Sequence, residues 1–151
     1  ILGFIMVVFG SFGRIWASLY IEGNKTKNLI TAGPFSMVRN PLYFFSLIML
    51  IGFSLALKAI YLPLALLLIF VLFHVPTIAN EEKKLQDIHG EKFKNYVKST
   101  PRLIPNIFKY KRPETGEKVL VKISRINGVL IEVIGYLFLY TLIDIIYFIL
   151  D

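Results

Sequence analysis

The sequence PLYFFSLIMLIGFSLALKAIYLPLALLLIFVLFHVPTIA, residues 41–79, carries a single full charge, Lys58. Crossing a bilayer takes roughly 20 predominantly apolar residues. Two such blocks lie here, Pro41 to Leu57 and Ala59 to Ala79. The first is short for a span, and it crosses if Lys58 snorkels to the far interface. So short a connection forces the two helices to run antiparallel. The expected unit is a tight helical hairpin with both open ends at one membrane face.

Two further apolar blocks flank it, Ile1 to Ile21 before and Gly128 to Leu150 after, with Asp151 closing the chain. Between them lie a polar loop, Glu22 to Asn40, and a long polar stretch, Asn80 to Asn127. The expected fold class is all-α, a multi-pass transmembrane helical bundle. Composition agrees: 56% of the 151 residues are hydrophobic and 15% aromatic, with mean hydropathy +0.65, against roughly 45–50% apolar in soluble domains. Residues 1–108 read as a membrane core, 109–127 as a basic linker and 128–151 as an additional transmembrane helix. The chain opens at Ile1 inside an apolar run, so further sequence is expected upstream. That run holds Arg14 and no small-residue cleavage site follows, so it does not read as a signal peptide.

The net charge of +7 needs no nucleic acid. Lys83, Lys84, Lys92, Lys94, Lys98, Arg102, Lys109, Lys111, Arg112, Lys118, Lys122 and Arg125 crowd the long stretch. Lys25, Lys27 and Arg39 fall on the same side, and Lys58 alone lies opposite. By the positive-inside rule both loops are expected in the cytoplasm, with the chain in the cell (inner) membrane. The absence of cysteine excludes disulfides, thiolate metal sites and cysteine nucleophiles. His74 and His89 suggest no metal set.

Two clusters could carry chemistry. In Gly33-Pro34-Phe35-Ser36-Met37-Val38-Arg39-Asn40-Pro41-Leu42-Tyr43, the Gly-Pro pair is a turn. Asn40 is a favoured N-cap and Pro41 a favoured first helical residue. Arg39 then stands at a helix start whose free N–H groups favour an anion. Glu81-Glu82 follows the third span, where the expected helix C-terminus opposes acidic charge. The antiparallel hairpin brings both clusters to one face, and a zwitterionic amino acid group would fit between them. Leu85, Ile88, Phe93, Tyr96 and Val97 fall at helical spacing, so an amphipathic surface helix is expected, interrupted near Gly90.

Leu29 to Tyr43, Glu81-Glu82, Gly90 to Tyr96 and Arg102-Leu103-Ile104-Pro105 together resemble the superfamily of isoprenylcysteine carboxyl methyltransferases and phospholipid methyltransferases. Its pattern runs from a Gly-Pro-Tyr-like turn and Arg-His-Pro-x-Tyr, through an apolar hairpin and Glu-Glu, to a closing Leu-Ile-Pro. The resemblance covers about two thirds of the chain. It implies a membrane enzyme that uses S-adenosylmethionine held in a cytosolic pocket over the helix ends, with a lipid or lipid-modified substrate entering from the bilayer. Carried onto this sequence, the cofactor-binding candidates are Lys27, Asn28, Leu29, Ile30, Phe35, Asn40, Pro41, Leu42, Tyr43 and Glu81. Arg39 and Glu82 are the adjacent members, candidates for catalysis. Asn40 stands where the pattern has His, so a titrating group is lost. Phe35 stands for a Tyr, and Thr77 lies near the position of an Arg held to contact substrate in eukaryotic prenylcysteine enzymes.

His74 lies seven residues before Glu81 on roughly the same face, and is a candidate base if it points into a substrate cavity. Arg14 and Glu132 sit at similar depth in the first and last spans and are expected to pair across the bundle. Prenylcysteine-type carboxyl methylation heads the expectation. The alternatives are a phospholipid N-methyltransferase, an NADPH-dependent sterol-type reductase with a similar Arg-His-Pro-x-Tyr ending, and a non-catalytic membrane scaffold. The Glu pair argues against the reductase, and so does Leu42, where reductases place an Asn before the Tyr.

Overall fold

The computed structural model describes residues 1–21, 28–57, 61–113 and 123–150, and the expectations for Lys25, Lys27 and Lys58 lie outside them. The described chain is helical: α1 Leu2–Ile21, a one-turn α2 Pro34–Met37, α3 Pro41–Ala56, α4 Leu62–His89, α5 Glu91–Ser99, a 3₁₀ turn at Ile107–Lys109, and α6 Ile123–Leu150. Among the described residues, three helices are long and apolar enough to cross a membrane: Leu2–Ile21, Leu62–His89 and the Asn127–Ile149 part of α6. The fourth, α3, has 16 residues and a length of about 24 Å.

Packing follows from small residues. Helix α3 lies between α1 and α4, and α6 packs mainly on α1. The buried positions of α1 are Gly3, Val7, Gly10, Ser11, Gly13, Ala17 and Ser18. All but Val7 are small, and lipid gives no hydrophobic reward for helix contact, so close backbone approach has to supply it. A Cβ on Gly3 would stand 2.6 Å from the Gly52 carbonyl oxygen, and one on Gly52 would stand 2.7 Å from that of Gly3. A Cβ on Gly13 would fall 2.2 Å from the Phe45 ring. The outer faces of α4 and α6 remain apolar and exposed, among them Leu64, Leu68, Phe73, Ile131, Phe138 and Phe148, as lipid-facing surfaces require.

The expected Arg14–Glu132 pair is present. Arg14 donates to Glu132 at 2.9 Å and to the Ser46 hydroxyl at 2.7 Å, which ties α1 to α6 and α3. Both side chains keep partial exposure, so the pair is worth little more than other polar contacts between membrane helices. A double-mutant cycle on Arg14→Leu and Glu132→Leu, read by thermal unfolding in one detergent, should give a coupling of about 1 kcal/mol.

Two boundaries differ from expectation. The helix of the third span does not end at Ala79. Helix α4 runs on to His89, roughly 42 Å in all, because Glu, Lys, Leu and Gln are strong helix formers. Gly90, at φ +52°, ends it and caps it through its N–H to the Gln86 carbonyl at 2.9 Å. The amphipathic helix is therefore split as expected, but its first half is the solvent extension of a membrane helix. Helix α6 begins at Ile123, before the expected Gly128.

Candidate functional site

The polar ends of α1, α3 and α4 meet the loop that precedes α3. Gly33 takes φ +59°, and a Cβ there would enter the Tyr20 ring at 2.3 Å, so glycine is required by both backbone and space. Its N–H donates to the Lys111 carbonyl at 2.8 Å, and its carbonyl accepts from the Ser36 hydroxyl at 2.6 Å. That hydroxyl accepts the Lys111 N–H at 2.8 Å. Arg39 N–H bonds the Pro101 carbonyl at 2.9 Å, and Asn106 N–H bonds that of Met37 at 3.0 Å. Residues 100–111 thus form a strap laid along residues 33–39. The first part of the expected linker belongs to it.

Glu82 is the hub of this end. Its carboxylate accepts from Arg39 Nε at 3.1 Å, Asn40 Nδ2 at 2.9 Å and Arg102 Nε at 3.1 Å. Arg39 also donates to the Val97 carbonyl at 3.1 Å, and Asn40 Nδ2 to the Arg102 carbonyl at 3.0 Å. Three sequence expectations change here. Asn40 occupies the N-cap position before Pro41, but its side chain makes no capping bond; both amide hydrogens are used across the loop. And Arg39 does not face the Glu pair across an open site, because it is bonded to Glu82. The Glu pair does not oppose a helix terminus either, since it lies inside α4.

Beside the hub is a cavity of about 260 Å³, near the lower edge of small-molecule sites, roughly 300–1,000 Å³. Asn28, Leu29, Ile30 and Phe35 line it from the loop, Asn40, Pro41, Leu42 and Tyr43 from the start of α3, and Glu81 from α4. Every described cofactor-binding candidate is in that lining; Lys27 lies outside the described residues. Arg39 reaches the cavity too, whereas Glu82 and His74 do not line it. The first N–H groups of α3 are unpaired within their helix and favour negative charge. Glu81 supplies the opposite sign, and Tyr43 interacts with its carboxylate through the hydroxyl.

Sequence reasoning missed Ile21, Lys84, Leu85, Ile88 and Tyr96 in this lining, and Arg102 in the hub. The first omission had a signal. Residues 81, 84, 85 and 88 are one helical face, legible once α4 is known to continue. Tyr96 is 7% exposed and donates to the Phe35 carbonyl at 2.6 Å. Burial pushes its phenol pKa far above the ordinary range; Arg39 pulls it back and Glu82 adds to the rise. It stays a neutral donor at any working pH and fixes the loop to α5.

His74 stands deeper in α4. Its ring stacks on Phe70 at 4.3 Å and meets Tyr43 edge-on at 5.5 Å. Its Nδ1 is buried and has no hydrogen-bond partner among the described residues. His74, Tyr43 and Glu81 therefore form a series leading from the apolar zone to the cavity.

Fold and site together define a helical membrane protein with a cavity at its polar end. The chain belongs to the phospholipid methyltransferase family, whose model matches residues 1–92. It is similar to the cobalt-zinc-cadmium resistance protein CzcN of Cupriavidus metallidurans, 32% identical over 114 residues, 76% of this chain and 52% of that protein. It is equally similar to the nickel-cobalt-cadmium resistance protein NccN of Alcaligenes xylosoxydans, 32% identical over 113 residues, 75% of this chain and 53% of that one. The chain spans about half the length of the curated relatives it matches. No solved structure matches it.

Proposed function

We propose that this chain is the core of a membrane methyltransferase that uses S-adenosylmethionine to methylate a lipid or lipid-modified acceptor at the cytoplasmic face. The observation that carries this reading is the cavity itself, which gathers residues 28–30, Phe35, residues 40–43 and Glu81 from three separate segments. Family membership supports the reaction class, and the basic polar end supports the cytoplasmic side.

The residues fit such a cofactor. Glu81 would take its ammonium group, Lys84 and the N–H groups of the α3 start its carboxylate, and Leu29, Ile30 and Phe35 its apolar parts. When bound, the cofactor supplies an electrophilic methyl group on a sulfonium. What the protein does is hold donor and acceptor in line and keep water out. Arg39 and Glu82, candidates for catalysis on the sequence, act here as positioning groups that fix the Asn40–Tyr43 wall.

The free Nδ1 of His74 favours one acceptor class over another. A carboxylate acceptor needs no base, whereas an ammonium headgroup must lose a proton before it can attack. His74, edge-on to the Tyr43 ring at 5.5 Å, would be the group for that proton. An amine headgroup, as in phospholipid N-methylation, is thereby preferred to a prenylcysteine carboxylate. The relatives' names place them in metal resistance, which makes growth with cobalt, zinc or cadmium a condition worth including in an acceptor screen.

Calorimetry on the purified full chain tests the reading. S-adenosylmethionine should bind, NADPH should not, and Glu81→Ala should weaken binding at least tenfold, the loss of one charged hydrogen bond. NADPH binding would support the reductase instead. A folded protein that binds neither would leave the scaffold.

A further inference from the structure

The strap carries side chains that the site does not use. Ile104 is 79% exposed, Ile107 67% and Phe108 94%. They are not a loose tail. The strap is held along residues 33–39 by backbone bonds at Arg39, Asn106 and Gly33, and the 3₁₀ turn at Ile107–Lys109 is capped by the Asn106 side chain. Their outward direction is therefore built in. Lys98 and Lys109 border the open groove in which these apolar groups stand, and Lys111 and Arg112 follow as exposed cations.

The depth of this strap can be read from α1. Tyr110 packs against Trp16 at 6.2 Å and meets the Tyr20 hydroxyl. Trp16 lies about 7.5 Å before the end of α1 at Ile21, at 1.5 Å per residue. Trp and Tyr concentrate at membrane–water interfaces. Residues just before Tyr110 then lie level with the bilayer surface.

We propose that Ile104, Ile107 and Phe108 insert into the interface of the leaflet at the polar end, while Lys109, Lys111 and Arg112 bind its anionic headgroups. The occupant of this apolar surface is the bilayer itself. The pattern of apolar anchors flanked by cations is that of in-plane interfacial segments, and clustered cations next to a span select anionic lipid. The inference rests only on the membrane-spanning helices and stands whether or not methyl transfer is the reaction.

Trp16 is the sole tryptophan, so a probe can be placed cleanly. Phe108→Trp in a Trp16→Phe background, reconstituted as the full chain in vesicles, should emit at blue-shifted wavelength. It should be quenched by lipids brominated near the headgroup, and more by brominated phosphatidylglycerol than by brominated phosphatidylcholine at equal mole fraction. Adding Lys109→Glu, Lys111→Glu and Arg112→Glu should abolish that preference. Ile107→Trp is the second probe if the first variant misfolds. Water-like emission, quenched by acrylamide and indifferent to brominated lipid, would overturn insertion and point to a soluble partner for this surface. Equal quenching by both lipids would overturn the anionic preference.

Discussion

Replacing Glu82 with alanine should lower stability by about 3 kcal/mol, the lower end of the cost of breaking a buried ion pair. Glu82 is only 15% exposed and its partner Arg39 10%. Without the carboxylate, the Arg39 guanidinium keeps the Val97 carbonyl but has no counter-charge. Asn40 loses one of its two acceptors, and Arg102 loses its hold on α4. In thermal unfolding of the detergent-purified chain this should appear as a midpoint lower by about 10 °C, since 1 kcal/mol moves a domain of this size by roughly 2–4 °C. Glu82→Gln should cost less than half as much, because an amide oxygen can still accept from Asn40. If Glu82→Ala leaves the midpoint within 2 °C of wild type, the hub contributes no net stability. The same variant should lose S-adenosylmethionine binding, because the Asn40–Tyr43 wall is then no longer fixed.

The second large effect is expected at the α1–α3 contact. Gly52→Leu puts a Cβ 2.7 Å from the Gly3 carbonyl oxygen and 3.0 Å from the Val7 backbone nitrogen. Both are main-chain atoms and cannot turn aside. The helices must separate, which breaks the run of close contacts from Gly3 to Gly13. Overpacking costs typically 1–3 kcal/mol and more where nothing relaxes; about 3 kcal/mol is expected here. The wild type should give a single sharp melt, and Gly52→Leu should melt early or aggregate in the same detergent. Gly128→Leu is the control, because a Cβ at Gly128 meets nothing within 4 Å. A normal melt for Gly52→Leu would mean that the helices do not touch as described.

How far the site was legible depends on whether a feature is local in the chain. The apolar blocks announce the spans, because a bilayer demands an uninterrupted apolar run whatever the rest of the protein does. The antiparallel hairpin follows from a connection too short for anything else. The pairing of Arg14 with Glu132 was legible because charges at matching membrane depth have few other partners. Part of the cavity wall was legible through the resemblance, which named Lys27 to Ile30, Phe35, Asn40 to Tyr43 and Glu81 as a set.

The hub was not legible. Arg39, Asn40, Glu82 and Arg102 come from three stretches far apart in sequence, and which cation takes which carboxylate oxygen is settled only when the strap lies down. Sequence reasoning therefore opposed Arg39 to the Glu pair across an open site, where the fold bonds it to Glu82. It ended the third helix at the membrane surface because hydropathy falls there. Hydropathy reports the solvent, not the backbone, and the helix continues into water on propensity until Gly90 stops it. So local composition and spacing determined the membrane class and the hairpin, and the resemblance supplied part of the cavity lining. Only the tertiary structure decided what Glu82 holds, because its partners Arg39, Asn40 and Arg102 come from segments far apart in sequence, while its neighbour Glu81 points about 100° away around one continuous helix.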